Sequence, residues 1–230
     1  MRISAGTTFR AVFTGVVGRS ASPFGYDADV LDPGASFAFF TRHEALTVAA
    51  AAARIFPTDE LGPGATEAGV VYYVDRALAG HDRDLQDTYR RGVALLDRLA
   101  GPPSEPPFHR LRPERQDALL ARLEAGADVP AGPEAGRPRA EAEAGPAAPP
   151  SGPFARLFFQ ALVNHTREGM FSDPVHGGNR GMVGWRLLGH PGAQRGYGEA
   201  DFRPGATIDR PPRSLADFLA ERDETGHGRD

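Results

Sequence analysis

The stretch from residue 154 to residue 192 constrains the fold of this chain more than any other part of the sequence. Its first half places apolar side chains and one histidine at intervals of three and four residues: Phe154, Leu157, Phe158, Ala161, Leu162 and His165. This spacing brings side chains onto one face of an α-helix. The sequence therefore predicts a buried helix that begins near Phe154.

The second half of this stretch abandons helical spacing for residues that form turns. They are Asp173, Pro174, Gly177, Gly178, Asn179, Arg180, Gly181 and Gly184, followed by the only tryptophan, Trp185. Asp-Pro fixes the entry to a turn, and glycine permits backbone angles with positive φ. We call residues 173–185 the signature turn. They are predicted to form a rigid turn whose outward residues are chiefly Asn179 and Arg180; positive φ at Gly178 would make that glycine necessary.

Helical periodicity also runs through the chain before residue 126. Thr41 and Glu44 have the spacing of a capping box at a helix start, and Pro113 suits the first position of a later helix. Helices are predicted over residues 41–56, 65–78, 85–100 and 113–126, and a short capped helix over 214–221. The predicted fold class is mainly α, an irregular helical domain with long loops and extended arms.

The chain divides into four predicted regions. Residues 1–40 are expected to form an arm outside the core, and residues 41–125 a helical region. Residues 126–153 contain seven prolines and five glycines and have Val129 as their only larger aliphatic side chain. Such a segment cannot bury enough apolar surface to offset its ordering entropy, which predicts a flexible linker. Residues 154–230 are expected to pack with 41–125 as one domain.

Composition excludes several classes of function. The chain has no cysteine, so disulfides, zinc thiolate sites, iron–sulfur clusters and covalently attached haem are excluded within it. The formal net charge of −4 gives no general attraction to nucleic acid or an anionic membrane. No run approaches the ~20 apolar residues of a membrane span.

Two groups of residues could carry chemistry, and each also has a structural interpretation. His165, His176 and Asp173 could form a metal site with two histidines and a carboxylate, but His165 continues the apolar face of its helix, which favours a structural role. The loop Gly177–Gly181 could hold an anion on its backbone amides, but it lacks the spacing of a phosphate or dinucleotide loop. A structural turn is the favoured interpretation.

An interaction surface is the better-supported prediction. Side chains of the types enriched at protein interfaces lie close together in the sequence: Met170, Phe171, Arg180, Met182 and Trp185. The aromatic members could equally fill the core beneath the turn, whereas an interface is favoured for Arg180.

The signature turn, with Gly189 and Pro191 after it, resembles the gluconate 2-dehydrogenase subunit 3 family. The resemblance extends upstream to Ile55–Asp59 and Gly62–Gly69 and covers roughly residues 41–205. It implies a non-catalytic small subunit that assists assembly, maturation or export of the FAD-containing large subunit of a dehydrogenase for gluconate or a related sugar. A cytochrome c subunit carrying haem is a further partner that it implies.

The resemblance also implies that this chain holds no flavin, haem, metal or catalytic residue of its own. Small subunits of this kind often carry a twin-arginine export signal, and the only Arg-Arg pair here, Arg90–Arg91, lies mid-chain in a helical pattern. A periplasmic, membrane-associated complex and a cytoplasmic location therefore both stay open. The competing hypothesis is a stand-alone enzyme or small-ligand or anion-binding protein built on the Gly177–Gly181 loop.

Overall fold

The computed structural model describes residues 31–126, 152–206, 208 and 210–226. Seven α-helices lie in these ranges: α1 (Arg42–Ile55), α2 (Val70–Ala79), α3 (Gln86–Ala100), α4 (Pro113–Ala125), α5 (Gly152–Phe171), α6 (Val183–Leu188) and α7 (Leu215–Gly226). None of the described residues forms a β-strand. The predicted mainly α fold is confirmed. Within these ranges, no helix combines the length and apolarity needed to cross a membrane.

Several helix ends follow the local signals in the sequence, whereas α2 begins later and α7 ends later than predicted. The Thr41 hydroxyl accepts a hydrogen bond from the Glu44 amide, and the Glu44 carboxylate accepts one from the Thr41 amide, which is the predicted capping box at α1. α4 begins at Pro113 as predicted. α2 begins at Val70 instead of residue 65, because Gly69 has φ of 66° and the residues before it form turns.

α5 is the central element of the core. It packs against α1, α2, α3, α4 and α6, and its side chains Phe158, Leu162 and Met170 are fully buried. α3 approaches α5 at Gly92, where a β-carbon would overlap the Phe158 ring. The alanine run of α1 over residues 49–53 is buried, because α1 also contacts four other helices. Small side chains at these places let the helices come close together.

The segment before α1 belongs to the core, which corrects the prediction of an arm outside it. Leu31 is 1% exposed and Phe40 is 6% exposed. The buried carboxylate of Asp75 in α2 accepts hydrogen bonds from the amides of Ala38, Phe39 and Phe40 at 2.7–3.0 Å. Three amides satisfy a charge that would otherwise be costly to bury. Residues 1–30 of the predicted arm lie outside the described residues.

The two ends of the predicted linker meet, although residues 127–151 themselves lie outside the described residues. The Arg156 guanidinium donates to the carbonyl oxygens of Ala125 at 2.8 Å and Glu124 at 3.4 Å. A β-carbon on Gly126 would stand 2.9 Å from the Gly152 carbonyl oxygen. A much shorter connection could therefore join α4 to α5.

We expect that replacing residues 127–151 with a short Gly/Ser linker leaves the melting temperature unchanged or slightly raised. Each halving of loop length lowers the entropy cost of closure by only ~0.6 kcal/mol, and the ends of α4 and α5 already lie together. A Gly/Ser segment of the original length is the control. A clear fall in melting temperature in both variants would show that residues 127–151 pack on the domain.

Glu44 gives the fold a dependence on pH. Burial alone would raise its pKa, but hydrogen bonds from Arg90 and Thr41 outweigh burial and lower the pKa below the 4.5 of an ordinary glutamate. Because the folded-state pKa lies below the unfolded value, the stabilisation is fully present above about pH 4.5 and is lost as the pH falls through the folded-state pKa.

The Glu44→Gln variant should unfold with a free energy about 1–2 kcal/mol lower than the parent protein at pH 7. The difference should shrink below pH 4.5, where Glu44 becomes protonated in the parent as well. Thermal or urea unfolding between pH 3 and pH 7 measures it. Glu114→Gln, an exposed acidic residue in the first turn of α4, is the matched control. A difference that stays constant with pH would contradict this role of the carboxylate.

Candidate functional site

The signature turn begins at Asp173, whose carboxylate joins two parts of the chain. One oxygen accepts a hydrogen bond from the Val175 amide at 3.0 Å, which starts the short 3₁₀ helix Pro174–His176. The other accepts from the Leu215 amide at 2.8 Å, at the first turn of α7. A carboxylate is favourable at the start of a helix because it accepts from amides that have no partner within the helix. Asp173 thus ties the turn to the C-terminal helix.

The middle of the signature turn satisfies the carbonyl oxygens at the end of α5. The Asn179 amide donates to Gly169 at 2.6 Å and its side-chain amide donates to Ser172 at 2.9 Å. The Trp185 indole donates to Phe171 at 2.7 Å. The last carbonyls of an α-helix have no partner within the helix, and here residues of the turn supply them. The turn is a cap for the central helix.

Asn179 is buried, so the prediction that it points outward is wrong. It is 0% exposed, and its side-chain oxygen accepts a hydrogen bond from the Gly184 amide at 2.9 Å. Its backbone is left-handed, with φ of 45° and ψ of 37°, a region that asparagine tolerates better than most side chains. The polar side chain is inside because it bridges the end of α5 to the start of α6.

Glycines in the turn are required for two different reasons. Gly177 and Gly181 have φ of 105° and 61°, as a left-handed turn demands. Gly178 does not have positive φ. It is required because a β-carbon there would overlap the backbone of Gly169, and a β-carbon on Gly184 would overlap the carbonyl oxygen of Met170. These two glycines let the turn lie directly on α5.

Arg180 is held inside the domain, although its side chain remains 40% exposed. It donates to the Asp32 carboxylate at 2.7 Å, and its guanidinium lies 3.7 Å from the centre of the Tyr72 ring. The hydrogen bond from Arg180 lowers the pKa of Asp32. Arg180 therefore clamps the segment before α1 to α2 and the signature turn, a structural role beside the interface role predicted for it from the sequence.

Trp185 and Met170 fill the core beneath the turn. Trp185 is 6% exposed and Met170 is 0% exposed. The sequence allows either a core or an interface position for the aromatic side chains. The Trp185 ring lies inside, against His190 at 5.3 Å between centroids. Pro174, Phe171 and Met182 are partly exposed.

The amides of the Gly177–Gly181 loop are largely committed to protein acceptors. Asn179 donates to Gly169, Arg180 donates to Ala68 at 3.0 Å, and Gly177 donates to Pro174 at 2.9 Å. An anion cradle needs successive amides that point at the ligand. The geometry of the loop therefore does not favour the anion-binding hypothesis.

His165 lies in a different cluster from the one considered in the sequence. Its Nε2 is 3.1 Å from Asp82 and 4.0 Å from Glu168, and its Nδ1 is 2.7 Å from the Tyr89 hydroxyl. Asp173 is not part of this cluster, because its carboxylate accepts hydrogen bonds from backbone amides. The sequence does not indicate that Asp82 belongs to this cluster, because Asp82 follows α2 and lies 83 residues from His165. The spacing of His165 and Glu168, in contrast, places both on one helix face as an i, i+3 pair.

Two tyrosines border this cluster. The Tyr73 hydroxyl donates to Glu168 at 3.0 Å. Burial, reinforced by the negative charges of Glu168 and Asp82, raises the pKa of both Tyr73 and Tyr89. Both hydroxyls therefore keep their protons at neutral pH and remain available as hydrogen-bond donors.

We expect that Asn179→Ala lowers the free energy of unfolding by about 2–4 kcal/mol, because it leaves the Gly184 amide and the Ser172 carbonyl without partners and strains the left-handed backbone. Asn179→Gly should recover only the backbone part. Denaturant unfolding measures both, with Asn164→Ala on the exposed face of α5 as control. Equal stability of Asn179→Ala and Asn164→Ala would contradict the capping role.

Comparison with known protein families gives one match that spans most of the described core. Residues 42–192 match the family described as gluconate 2-dehydrogenase subunit 3. Comparisons with curated proteins and with solved structures gave no match. The matched range runs from the first residue of α1 through the signature turn to Gly192, and it covers more than half of the 230 residues. This confirms the resemblance seen in the sequence: the chain belongs to the gluconate 2-dehydrogenase subunit 3 family.

Proposed function

We propose that this chain is the non-catalytic small subunit of a flavoprotein dehydrogenase complex that oxidises gluconate or a related sugar or sugar alcohol. The observation that carries the proposal is the family match over residues 42–192, which includes the signature turn. Its role is to assist assembly, maturation or export of the FAD-containing large subunit. The FAD and the haem belong to partner subunits, the large subunit and a cytochrome c subunit.

The structure changes which residues we assign to the partner contact. Within the signature turn, Asn179, Gly178 and Trp185 are used to build the domain. Exposed apolar side chains lie after it: Leu188 is 63% exposed, Tyr197 44% and Phe202 74%. We call these three residues the C-terminal apolar surface. Aromatic side chains are enriched at interfaces, so this surface is our candidate for docking the large subunit.

The C-terminal apolar surface is continuous with the signature turn in the sequence. α6 begins directly after the 3₁₀ helix Arg180–Met182 and ends at Leu188, and the Tyr197 and Phe202 rings contact each other at 6.2 Å between centroids. A turn rigidly fixed to α5 would therefore hold the start of this surface in place. The signature turn would thus support the interface by holding α6 in position.

The proposal is tested by co-expressing the chain with the FAD-containing large subunit of a gluconate dehydrogenase. The tagged small subunit should co-purify with a flavin-loaded large subunit, and the soluble yield of the large subunit should fall when the small subunit is omitted. The small subunit purified alone should show neither flavin nor haem absorption. A large subunit that folds and loads FAD equally well alone would contradict the assembly role.

Surface variants locate the contact. Leu188→Asp and Phe202→Ser should each weaken binding of the large subunit by about 2 kcal/mol if they are central contacts, so that less large subunit co-purifies. The melting temperature of the free chain should stay the same. Leu157→Ser, at an exposed apolar position of α5, is the matched control. If Leu157→Ser weakens the complex and the other two do not, the docking surface lies on α5 instead.

A further inference from the structure

The cluster around His165 combines groups that are typical of a divalent-metal site. Nε2 of His165, a carboxylate oxygen of Asp82 and a carboxylate oxygen of Glu168 all lie within 4.8 Å of one another. Nε2 of His81 lies 3.1 Å from the same Asp82 oxygen that faces His165. Imidazole nitrogen and carboxylate oxygen are both ligands for zinc and related divalent transition metals.

The distances are close to those of a tetrahedral site. Zinc bonds of 2.0–2.2 Å place neighbouring ligand atoms about 3.3 Å apart. His165 and Asp82 are 3.1 Å apart, and His165 and Glu168 are 4.0 Å apart. The Glu168 side chain is 50% exposed, so a small rotation can bring its oxygen nearer. His81, with a side chain 67% exposed, can supply the fourth ligand from the solvent side.

Two of the three inner ligands, His165 and Glu168, each contact a tyrosine that fixes their orientation. Tyr89 contacts Nδ1 of His165 at 2.7 Å, and Tyr73 donates to Glu168 at 3.0 Å. Hydrogen bonds of this kind orient metal ligands and tune their basicity. The Tyr89 hydroxyl also lies 3.4 Å from the Ala161 carbonyl oxygen. It can therefore donate to Ala161 while it accepts from Nδ1, which leaves the Nε2 lone pair of His165 free for a cation.

The charge of the cluster also favours a cation. Asp82 and Glu168 each carry a negative charge. Within the described ranges their ion-pair partners are histidines alone, although the chain has 26 arginines. His165 itself is only 3% exposed. Two carboxylates beside a buried imidazole, without an arginine between them, leave a local excess of negative charge that a divalent ion would neutralise.

We propose that Asp82, His165 and Glu168, with His81 as the outer ligand, bind one zinc ion or a related divalent transition metal. The ion joins the turn after α2 to the C-terminal third of α5 and serves as a structural tie. This replaces the sequence-based expectation that the chain holds no metal, and it does not depend on the partner subunit.

The test is metal binding by the full-length chain after treatment with a chelator. Calorimetric titration with Zn²⁺ should give one equivalent, and Co²⁺ should give the visible absorption of a four-coordinate site. Asp82→Asn and Glu168→Gln should each weaken Zn²⁺ binding at least ~10-fold, and Tyr73→Phe should weaken it less, as a partner of a ligand. Zn²⁺ should raise the melting temperature of the parent but not of Glu168→Gln.

Controls separate this site from adventitious binding and from unfolding. Asp84→Asn, an exposed acid two residues after Asp82, and His176→Gln should bind Zn²⁺ like the parent. Circular dichroism of each variant in the absence of metal checks that the helices are intact. Absence of saturable binding in the parent, or binding that persists unchanged in both Asp82→Asn and Glu168→Gln, would overturn the proposal.

Discussion

The C-terminal end of α5 is the point on which the structure depends. The carbonyl groups of Gly169, Phe171 and Ser172 have no partners within the helix, and α5 itself is the helix against which most others pack. An unpaired buried carbonyl costs about as much as a lost hydrogen bond. Asn179 and Trp185 supply the missing donors, so the most recognisable part of the sequence is explained by the stability of the central helix.

This explanation changes what the family motif says about function. Residues buried under a turn cannot touch another subunit, and a motif that caps a helix would be required in any member that uses this core. Under the proposed function, the dehydrogenase subunit is recognised by exposed side chains that lie beside the motif. The C-terminal apolar surface meets that condition at Leu188, because this residue ends α6, the helix that begins within the signature turn.

Local signals in the sequence predicted local structure well. Three helices were correctly predicted from such signals: α1 from the capping box at Thr41, α4 from Pro113 at its start, and α5 from the apolar spacing after Phe154. The sequence predicted less where a contact joins distant residues. Nothing near Gly178 shows that its α-hydrogen faces Gly169, and nothing near His165 shows that Asp82 lies beside it. Such contacts depend on how helices cross, which periodicity does not specify.

The salt bridge between Asp32 and Arg180 has a consequence for synthesis on the ribosome. The two residues are 148 positions apart, and the segment that Arg180 clamps includes Leu31 in the core. At about 5–20 residues per second, Arg180 follows Asp32 by roughly 7–30 s. For most of that interval the emerging N-terminal half has neither α5 to pack against nor the clamp to close it. The nascent chain therefore exposes apolar surface until Arg180 has been made, which is the period when a chaperone or a partner subunit could bind it.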